Sequence, residues 1–199
     1  MTADQYPSES WIHVYTDGSA TDAVPNGGSG VYAVFPDGHT ITVNTPTGKH
    51  CSNYSAEVQA LMQAASTIQN STSDCLRVVF LTDALTVLEA VAGGKLPHLI
   101  EKLQNVERQR RVLGVVLQWL PAHCGVPGNE KADKLPKLGA QEDQADNPVS
   151  FTDKKTLKAA FRPRLANCSP PPLPAVRRKG GPGEDSTICL AVWSISINV

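Results

Sequence analysis

The stretch LRVVFLTDALTVLEAVAGG, residues 76–94, decides the fold class of this chain. Its first part, 76–82, is almost entirely apolar, as expected for a strand that is buried on both faces of a sheet. Residues 84–92 predict a short helix, which Gly93 and Gly94 end. A buried strand followed directly by a helix indicates an α/β protein whose helices pack on its sheet.

Three shorter segments ahead of this unit alternate between apolar and polar residues, as half-buried strands do. They are WIHVYT (11–16), GVYAVF (30–35) and HTITVN (39–44). The turn residues Pro-Asp-Gly at 36–38 join the second strand to the third. A polar loop is expected at 45–53, and a helix from about Ser55 to Gln69 follows, because its apolar residues recur at helical spacing.

The second half of the chain predicts two more helices and one more strand. A helix over 97–111 begins at Pro97, the strand VVLQWL spans 115–120, and the loop PAHCGVPG leads to a last helix capped by Asn129. The order βββ-α-β-α-α-β-α predicts an α/β fold with a mixed five-stranded sheet and helices on its faces. Parallel strands joined by right-handed crossovers end at one edge of such a sheet, where ligands bind.

Composition restricts the class of protein. The chain has 199 residues, 41% of them hydrophobic and 19% charged, with a net charge of -1, so it gives no global signal for nucleic-acid binding. Its five cysteines include no CxxC pair and are expected to be reduced thiols. The polar N-terminus is unlike a signal or transit peptide, and no apolar stretch is long enough to span a bilayer. We therefore expect an intracellular protein, cytoplasmic or nuclear, with no membrane partner.

Composition also shifts along the chain and predicts three regions. Residues 1–10 form a disordered lead, residues 11–140 form the folded domain, and residues 141–199 form a mostly disordered tail. The tail contains several prolines and the basic run RRKGGPG at 177–183.

Four acidic residues carry the chemistry that the sequence predicts: Asp17, Glu57, Asp83 and Asp133. Each lies near the end of an apolar segment or in the first turn of a helical one. Buried carboxylates are costly unless something compensates their charge, and a divalent metal compensates several at once. Since no cysteine or histidine ligand pattern accompanies them, these acids indicate Mg²⁺ or Mn²⁺ and phosphoryl chemistry.

Four motifs, YTDGSA, SNYSAEVQAL, VVFLTDA and WLPAHCGVPGNEKADKL, occur in this order over about residues 11–140. Together they resemble the successive motifs of type 1 ribonuclease H. The close variants HCGVPGNEKAD and NYSAEVQAL are similar to the retroelement-derived branch of that family. The resemblance implies the ribonuclease H-like fold and an endoribonuclease that cuts the RNA strand of RNA–DNA hybrids, leaving 5′-phosphate and 3′-hydroxyl ends.

The resemblance also implies roles for particular residues. The acids Asp17, Glu57, Asp83 and Asp133 hold two Mg²⁺ ions, with Mn²⁺ as a substitute, roughly 4 Å apart on the scissile phosphate. His123, in a loop that contains Gly125 and Gly128, helps proton transfer or product release. Gly18, Ser19 and Asn53 contact the RNA strand, whose 2′-hydroxyl distinguishes it from DNA. The partners implied are the hybrid itself and a reverse transcriptase or parent polyprotein; we expect a monomer.

Several alternatives stay open at this point. Asp83 can act as the N-cap of the following helix, alone or together with a ligand role. Arg108, Arg110 and Arg111 can meet DNA phosphates or form an ordinary solvated helix end. A catalytically silent ribonuclease H-like module that binds nucleic acid or protein is the alternative function, and a transposase or integrase of the same fold is a third. Pro136 interrupts the last helix and predicts a kink after Asp133.

Overall fold

The computed structural model describes residues 5–20, 25–72, 77–110, 114–146, 153–155 and 194–196. The strands, in chain order, are β1 (Ile12–Ala20), β2 (Pro25–Val34), β3 (Thr40–His50), β4 (Arg77–Thr82), β5 (Gly114–Trp119) and β6 (Ser194–Ser196). The helices are α1 (Asn53–Asn70), α2 (Leu85–Ala92), α3 (Pro97–Arg110), α4 (Pro127–Ala132) and α5 (Leu135–Gly139).

The strands form one mixed sheet in the order β3-β2-β1-β4-β5-β6. The strands β1, β2 and β3 pair antiparallel, whereas β1 pairs parallel with β4 and β4 pairs parallel with β5. The predicted α/β fold with a mixed five-stranded sheet is confirmed, and the short β6 adds an antiparallel edge to β5. Since β1 and β4 are neighbours, their carboxyl ends lie side by side.

Helices cover both faces of the sheet, and β4 shows why the sequence demands this. Val78 and Phe80 are buried in a core cluster with α1, α2 and α3, whereas Val79 and Leu81 are buried in a second cluster with α4 and α5. Alternate residues of a strand point to opposite faces, so the apolar residues 78–81 at the centre of β4 need an apolar layer on each side of the sheet.

Local boundaries differ from the sequence expectation in two places. The predicted polar loop at 45–53 is wrong over 45–50, because β3 continues to His50 and pairs with β2 up to Pro25. The helix α1 begins at Asn53, two residues before the expected start, and its N-cap is Ser52. Ser, Thr, Asn and Asp side chains favour such caps, and several of them stand in this polar stretch.

The last helix is divided. The expected cap at Asn129 is wrong: the N-cap is Val126, Pro127 opens α4, and Asn129 is buried inside the helix. The predicted kink after Asp133 is a full break in the structure, since Asp133 is the C-cap of α4 and a separate helix, α5, begins at Leu135. Pro136 therefore stands in the first turn of a new helix, where a missing backbone N–H costs nothing.

The two ends of the chain, which the sequence predicts to be disordered, are described only in part. Of the expected disordered lead, residues 5–10 are described; Tyr6 is buried and its hydroxyl donates to Gln118 Oε1 over 3.1 Å. Most of the expected disordered tail lies outside the described residues. The described part of the tail is 141–146, 153–155 and 194–196. Among the helices of the described residues, none is long and apolar enough to cross a membrane.

Candidate active site

Three carboxylates converge where β1 and β4 end side by side. Thr16 pairs with Thr82 as the last aligned pair of β1 and β4, so Asp17 and Asp83 each follow one residue later. Glu57 approaches from the start of α1. Oxygen atoms of Asp17, Glu57 and Asp83 lie within 4.8 Å of one another. The fold therefore brings together three of the four acids that the sequence singled out.

Gly18 allows this convergence. A Cβ at this position would meet the backbone carbon of Ala56 at 2.2 Å and the backbone nitrogen of Glu57 at 2.3 Å. Real Cβ atoms do not approach backbone so closely, so only glycine lets the start of α1 pack directly on β1. In the Asp-Gly pair of the first motif, Asp17 contributes a carboxylate to the cluster and Gly18 leaves the space in which α1 packs beside it.

The three acids repel one another and have lost hydration. Burial, followed by repulsion from Asp17 and Asp83, raises the pKa of Glu57 to about 10. Burial, followed by repulsion from Asp83 and Asp133, raises the pKa of Asp17 to about 6. The pKa of Asp83 is raised as well, mainly by burial and then by Asp133. Desolvation and like charges both disfavour the ionised forms.

The donor set fits a divalent cation. Glu57 Oε2 is buried and has no hydrogen-bond partner among the described residues. A buried carboxylate oxygen without a partner costs free energy that a bound cation removes. Carboxylate oxygens are also the ligands that hard divalent cations prefer. The residues Asp17, Glu57 and Asp83 are therefore suited to hold such an ion.

The fourth acid lies beside this group and belongs to a second cluster. Asp133 Oδ2 is 3.0 Å from Nδ1 of His123, and potential ligand atoms of His123, Glu130 and Asp133 lie within 4.8 Å of one another. Burial raises the pKa of Asp133, whereas His123 beside it acts in the opposite direction. The negative charge of Asp133 nevertheless reaches the first cluster, because it raises the pKa of both Asp17 and Asp83.

His123 is held in an unusual backbone conformation on an open loop. Its side chain is 79% exposed, its φ is 52°, and Gly125 two residues later has a φ of 76°. Left-handed backbone at a non-glycine residue is uncommon and concentrates at functional sites. Glu130 was missed by the sequence analysis, although its spacing of three residues from Asp133 on a helix places both acids on one face.

The predicted substrate-contact residues lie at the end of β1 and the start of α1. Asn53 is exposed, and its Oδ1 accepts from the backbone N–H of Ala20 over 2.8 Å. Gly18 is buried and Ser19 is partly buried on the same strand end. Asn53 therefore ties the end of β1, where Gly18 and Ser19 follow Asp17, to the start of α1, which carries Glu57.

Two of the open alternatives can be examined in the described residues. Asp83 is not a helix cap, because the N-cap of α2 is Ala84 and no side chain caps it. The backbone carbonyl of Asp83 instead accepts from Trp119 Nε1 over 3.1 Å, which holds the end of β4 against β5. Arg108 is exposed and donates to Gln104 on its own helix, while the side chain of Arg110 and all of Arg111 lie outside the described residues.

A comparison with known families adds to this geometry. The family model described as RNase H matches residues 9–141, which include both acid clusters and His123. The chain belongs to the ribonuclease H family. The predicted resemblance to type 1 ribonuclease H is thereby confirmed, and it covers nearly the same residues as the four motifs.

Individual relatives agree with this family. Ribonuclease H1 of Homo sapiens is 28% identical over 153 residues, which are 67% of this chain and 51% of that protein. LC11-RNase H1, solved in complex with an RNA/DNA hybrid, superposes with a TM-score of 0.52 at 22% identity, covering 65% of this chain and 96% of that one. The foamy viral protease-reverse transcriptase, also solved with an RNA/DNA hybrid, superposes with a TM-score of 0.51 at 22% identity, covering 68% of this chain and 21% of that one.

These likenesses differ in what they show. At 22% identity the two solved structures show the ribonuclease H fold alone. The chain spans about half the length of the ribonuclease H1 protein that it matches, 51% of it. Family and fold are therefore established for this chain, while its activity and substrate are matters for proposal.

Proposed function

We propose that this ribonuclease H domain is an endoribonuclease that hydrolyses the RNA strand of RNA–DNA hybrids. The observation that carries the proposal is the convergence of Asp17, Glu57 and Asp83. In this group Glu57 has a buried oxygen with no hydrogen-bond partner among the described residues. A set of carboxylates that repel one another is a cost in a protein that only binds nucleic acid. It becomes an advantage in a hydrolase that must hold divalent cations on a phosphate.

The cations are proposed to be two Mg²⁺ ions, with Mn²⁺ able to substitute. Asp17, Glu57 and Asp83 would hold the first, and Asp133 would share in the second. When bound, such ions activate a water molecule and stabilise the leaving oxygen of the scissile phosphate. Mg²⁺ is the expected ion because every donor in the first cluster is a hard carboxylate oxygen. The first cluster contains no thiolate and no imidazole.

The other residues of the site have proposed roles that follow from their positions. His123 is exposed and contacts Asp133, so it can move a proton or help products leave without disturbing the core. Asn53, Gly18 and Ser19 are proposed to contact the RNA strand beside its 2′-hydroxyl. Their backbone is held by the bond between Asn53 and Ala20, which keeps this surface in place before substrate binds.

A silent ribonuclease H-like module is the alternative, and one observation favours it. Asp133 is not part of the group of three acids; it pairs with His123 and lies near Glu130 instead. If this pairing persists when substrate binds, the site lacks its fourth acid. The proposed link to a reverse transcriptase or a parent polyprotein has its support in the two quoted retroelement-like motifs and in the fold shared with the foamy viral enzyme.

Cleavage of labelled substrates tests the proposal. The full chain should be incubated with an RNA–DNA hybrid, single-stranded RNA and duplex DNA of one sequence, each with Mg²⁺, Mn²⁺ or EDTA. We expect cutting of the RNA strand of the hybrid alone, only with a divalent metal, leaving 5′-phosphate and 3′-hydroxyl ends. The variant Asp17→Asn should lose this cutting, whereas the matched control Asp143→Asn should keep it, since Asp143 is an exposed acid outside the site. A folded wild-type chain that binds hybrid but never cuts it would establish the silent module instead.

A further inference from the structure

The N-terminus of α1 has an incomplete cap within its own sequence. Ser52 is the N-cap, and its Oγ accepts from the backbone N–H of Ser55 over 3.3 Å. Ser52 is itself buried, at 3% exposed, so its own backbone N–H also needs a partner. In a capping box, the third residue of the helix is a glutamate or glutamine whose side chain accepts from the backbone N–H of the N-cap residue. Here the position holds Ser55, whose side chain is too short for that reach.

Asp153 supplies the missing carboxylate from far along the chain. Its Oδ1 accepts from the backbone N–H of Ser52 over 2.8 Å and from the hydroxyl of Ser55 over 2.8 Å. Asp153 is 5% exposed, so these bonds are shielded from water. A negative group at the N-terminus of a helix also interacts favourably with the helix dipole. α1 has no acidic residue in its own first turn. Asp153 therefore completes the capping box of α1.

The described residues that follow α5, up to Asp146, are also held against the domain. Gln144 Oε1 accepts from the backbone N–H of Gly48 over 2.9 Å, and the backbone N–H of Lys49 donates to Ala145 over 3.3 Å. Lys49 also pairs with Asp146 over 3.1 Å. Residues 144–146 thus lie beside the end of β3, which precedes Ser52 in the chain. These residues lie beyond 141, where the match to the ribonuclease H family ends.

We propose that Asp153 is a positioning residue for the active site of this enzyme. The turn that it holds carries Asn53, which bonds to Ala20 at the end of β1, and leads one turn later to Glu57. Glu57 reaches the cluster only because α1 lies in direct contact with Gly18. Asp153 belongs to neither acid cluster; it sets where the first turns of α1, and hence Glu57, stand relative to Asp17. This inference rests on the proposed function of the same site.

Three measurements on the full chain test the inference. Asp153→Ala is compared with Asp143→Ala, which removes an exposed acid from the same segment. We expect Asp153→Ala to speed hydrogen exchange of the backbone N–H of Ser55 and its neighbours in the first turn of α1. Affinity for Mn²⁺ should fall by about tenfold, the low end of the range for removing support from metal ligands. On hybrid substrate kcat should fall by a similar factor with a smaller change in KM.

A rescue variant separates positioning from a general loss of stability. Ser55→Glu in the Asp153→Ala background recreates a capping box within α1, so we expect it to restore slow exchange and Mn²⁺ affinity. Asp153→Asn keeps the accepting oxygen and should fall between Asp153→Ala and wild type. Unchanged hydrogen exchange and unchanged Mn²⁺ affinity in Asp153→Ala would overturn the inference. A Ser55→Glu rescue that restores slow exchange without restoring Mn²⁺ affinity would overturn it as well.

These outcomes also distinguish the inference from the proposed function. If wild type binds Mn²⁺ but does not cut the hybrid, the proposed function fails, whereas the exchange and Mn²⁺ measurements still decide the role of Asp153. If wild type cuts the hybrid and Asp153→Ala matches it in all three measurements, the proposed function stands and the positioning role is refuted.

Discussion

Replacing Asp17 by asparagine should make the metal-free protein more stable at neutral pH. The folded state raises the pKa of this carboxyl group from 3.8 to about 6, mainly through burial and then through repulsion by Asp83 and Asp133. Because the folded state holds the proton more tightly, stability is lost as the pH rises from the unfolded value to the folded one. Above pH 6 the full cost applies, and the difference between the two values corresponds to an upper limit of about 3 kcal/mol.

Asparagine carries no charge, so most of this cost should disappear in the variant. We expect the free energy of unfolding at pH 7 in EDTA to rise by about 1–3 kcal/mol, since the amide still buries a polar group. At pH 4 the carboxyl group is mainly protonated when folded and about half protonated when unfolded, so the gain should shrink below about 1 kcal/mol. Saturating Mn²⁺ should reverse the order, because the ion stabilises the wild type more than the variant.

Urea unfolding at the two pH values, with and without Mn²⁺, measures these differences. The control is Asp37→Asn, which alters an exposed turn acid whose Oδ1 accepts from His39 and which keeps that oxygen as an amide. The reasoning is refuted if the Asp17 variant is no more stable than wild type at pH 7 in EDTA. It is also refuted if the control gains as much stability as the Asp17 variant does.

Three further substitutions test separate parts of the structure. Gly18→Ala should unfold at lower urea concentration and lose hybrid cleavage, because its Cβ would meet Ala56 at 2.2 Å, whereas Gly114→Ala, with open space around it, should change neither. His123→Ala should lower kcat for hybrid cleavage while leaving urea unfolding within about 0.5 kcal/mol of wild type, since its side chain is mostly exposed; a large stability loss would show that the loop is structural. Pro136→Ala should shift the free energy of unfolding by less than about 1 kcal/mol, because the proline already stands in a first turn; a large gain in stability or activity would show that the proline strains the site.

Most of the acid cluster could be predicted from the sequence, because its positions follow from local patterns. The apolar run before Asp83 and the alternating run before Asp17 identify two strands, and strand ends on one sheet edge are neighbours. Glu57 follows from the helical spacing of the residues after it. Each of these inferences depends on a periodicity that the chain shows within a few residues, and the structure places all three acids within 4.8 Å.

Contacts between residues that lie far apart in the sequence, or that depend on loop conformation, could not be predicted in this way. No local pattern tells that Asp153 caps a helix that begins 100 residues earlier, since its own surroundings are polar and unpatterned. The pairing of Asp133 with His123 depends on how the loop before α4 folds, and a φ of 52° at His123 has no sequence signature. The predicted cap at Asn129 is wrong because Pro127 begins the helix three residues before the start that such a cap implies.

The most direct test of the account is the effect of Glu57→Gln on cleavage of an RNA–DNA hybrid in Mg²⁺. Glu57 carries a buried oxygen that has no hydrogen-bond partner among the described residues, so the amide removes a carboxylate charge while keeping the shape. The matched control is Glu101→Gln, an exposed acid on α3. The account predicts no detectable cutting by the Glu57 variant and a wild-type rate for the control, with both chains folded. Cleavage by Glu57→Gln at the wild-type rate would contradict it.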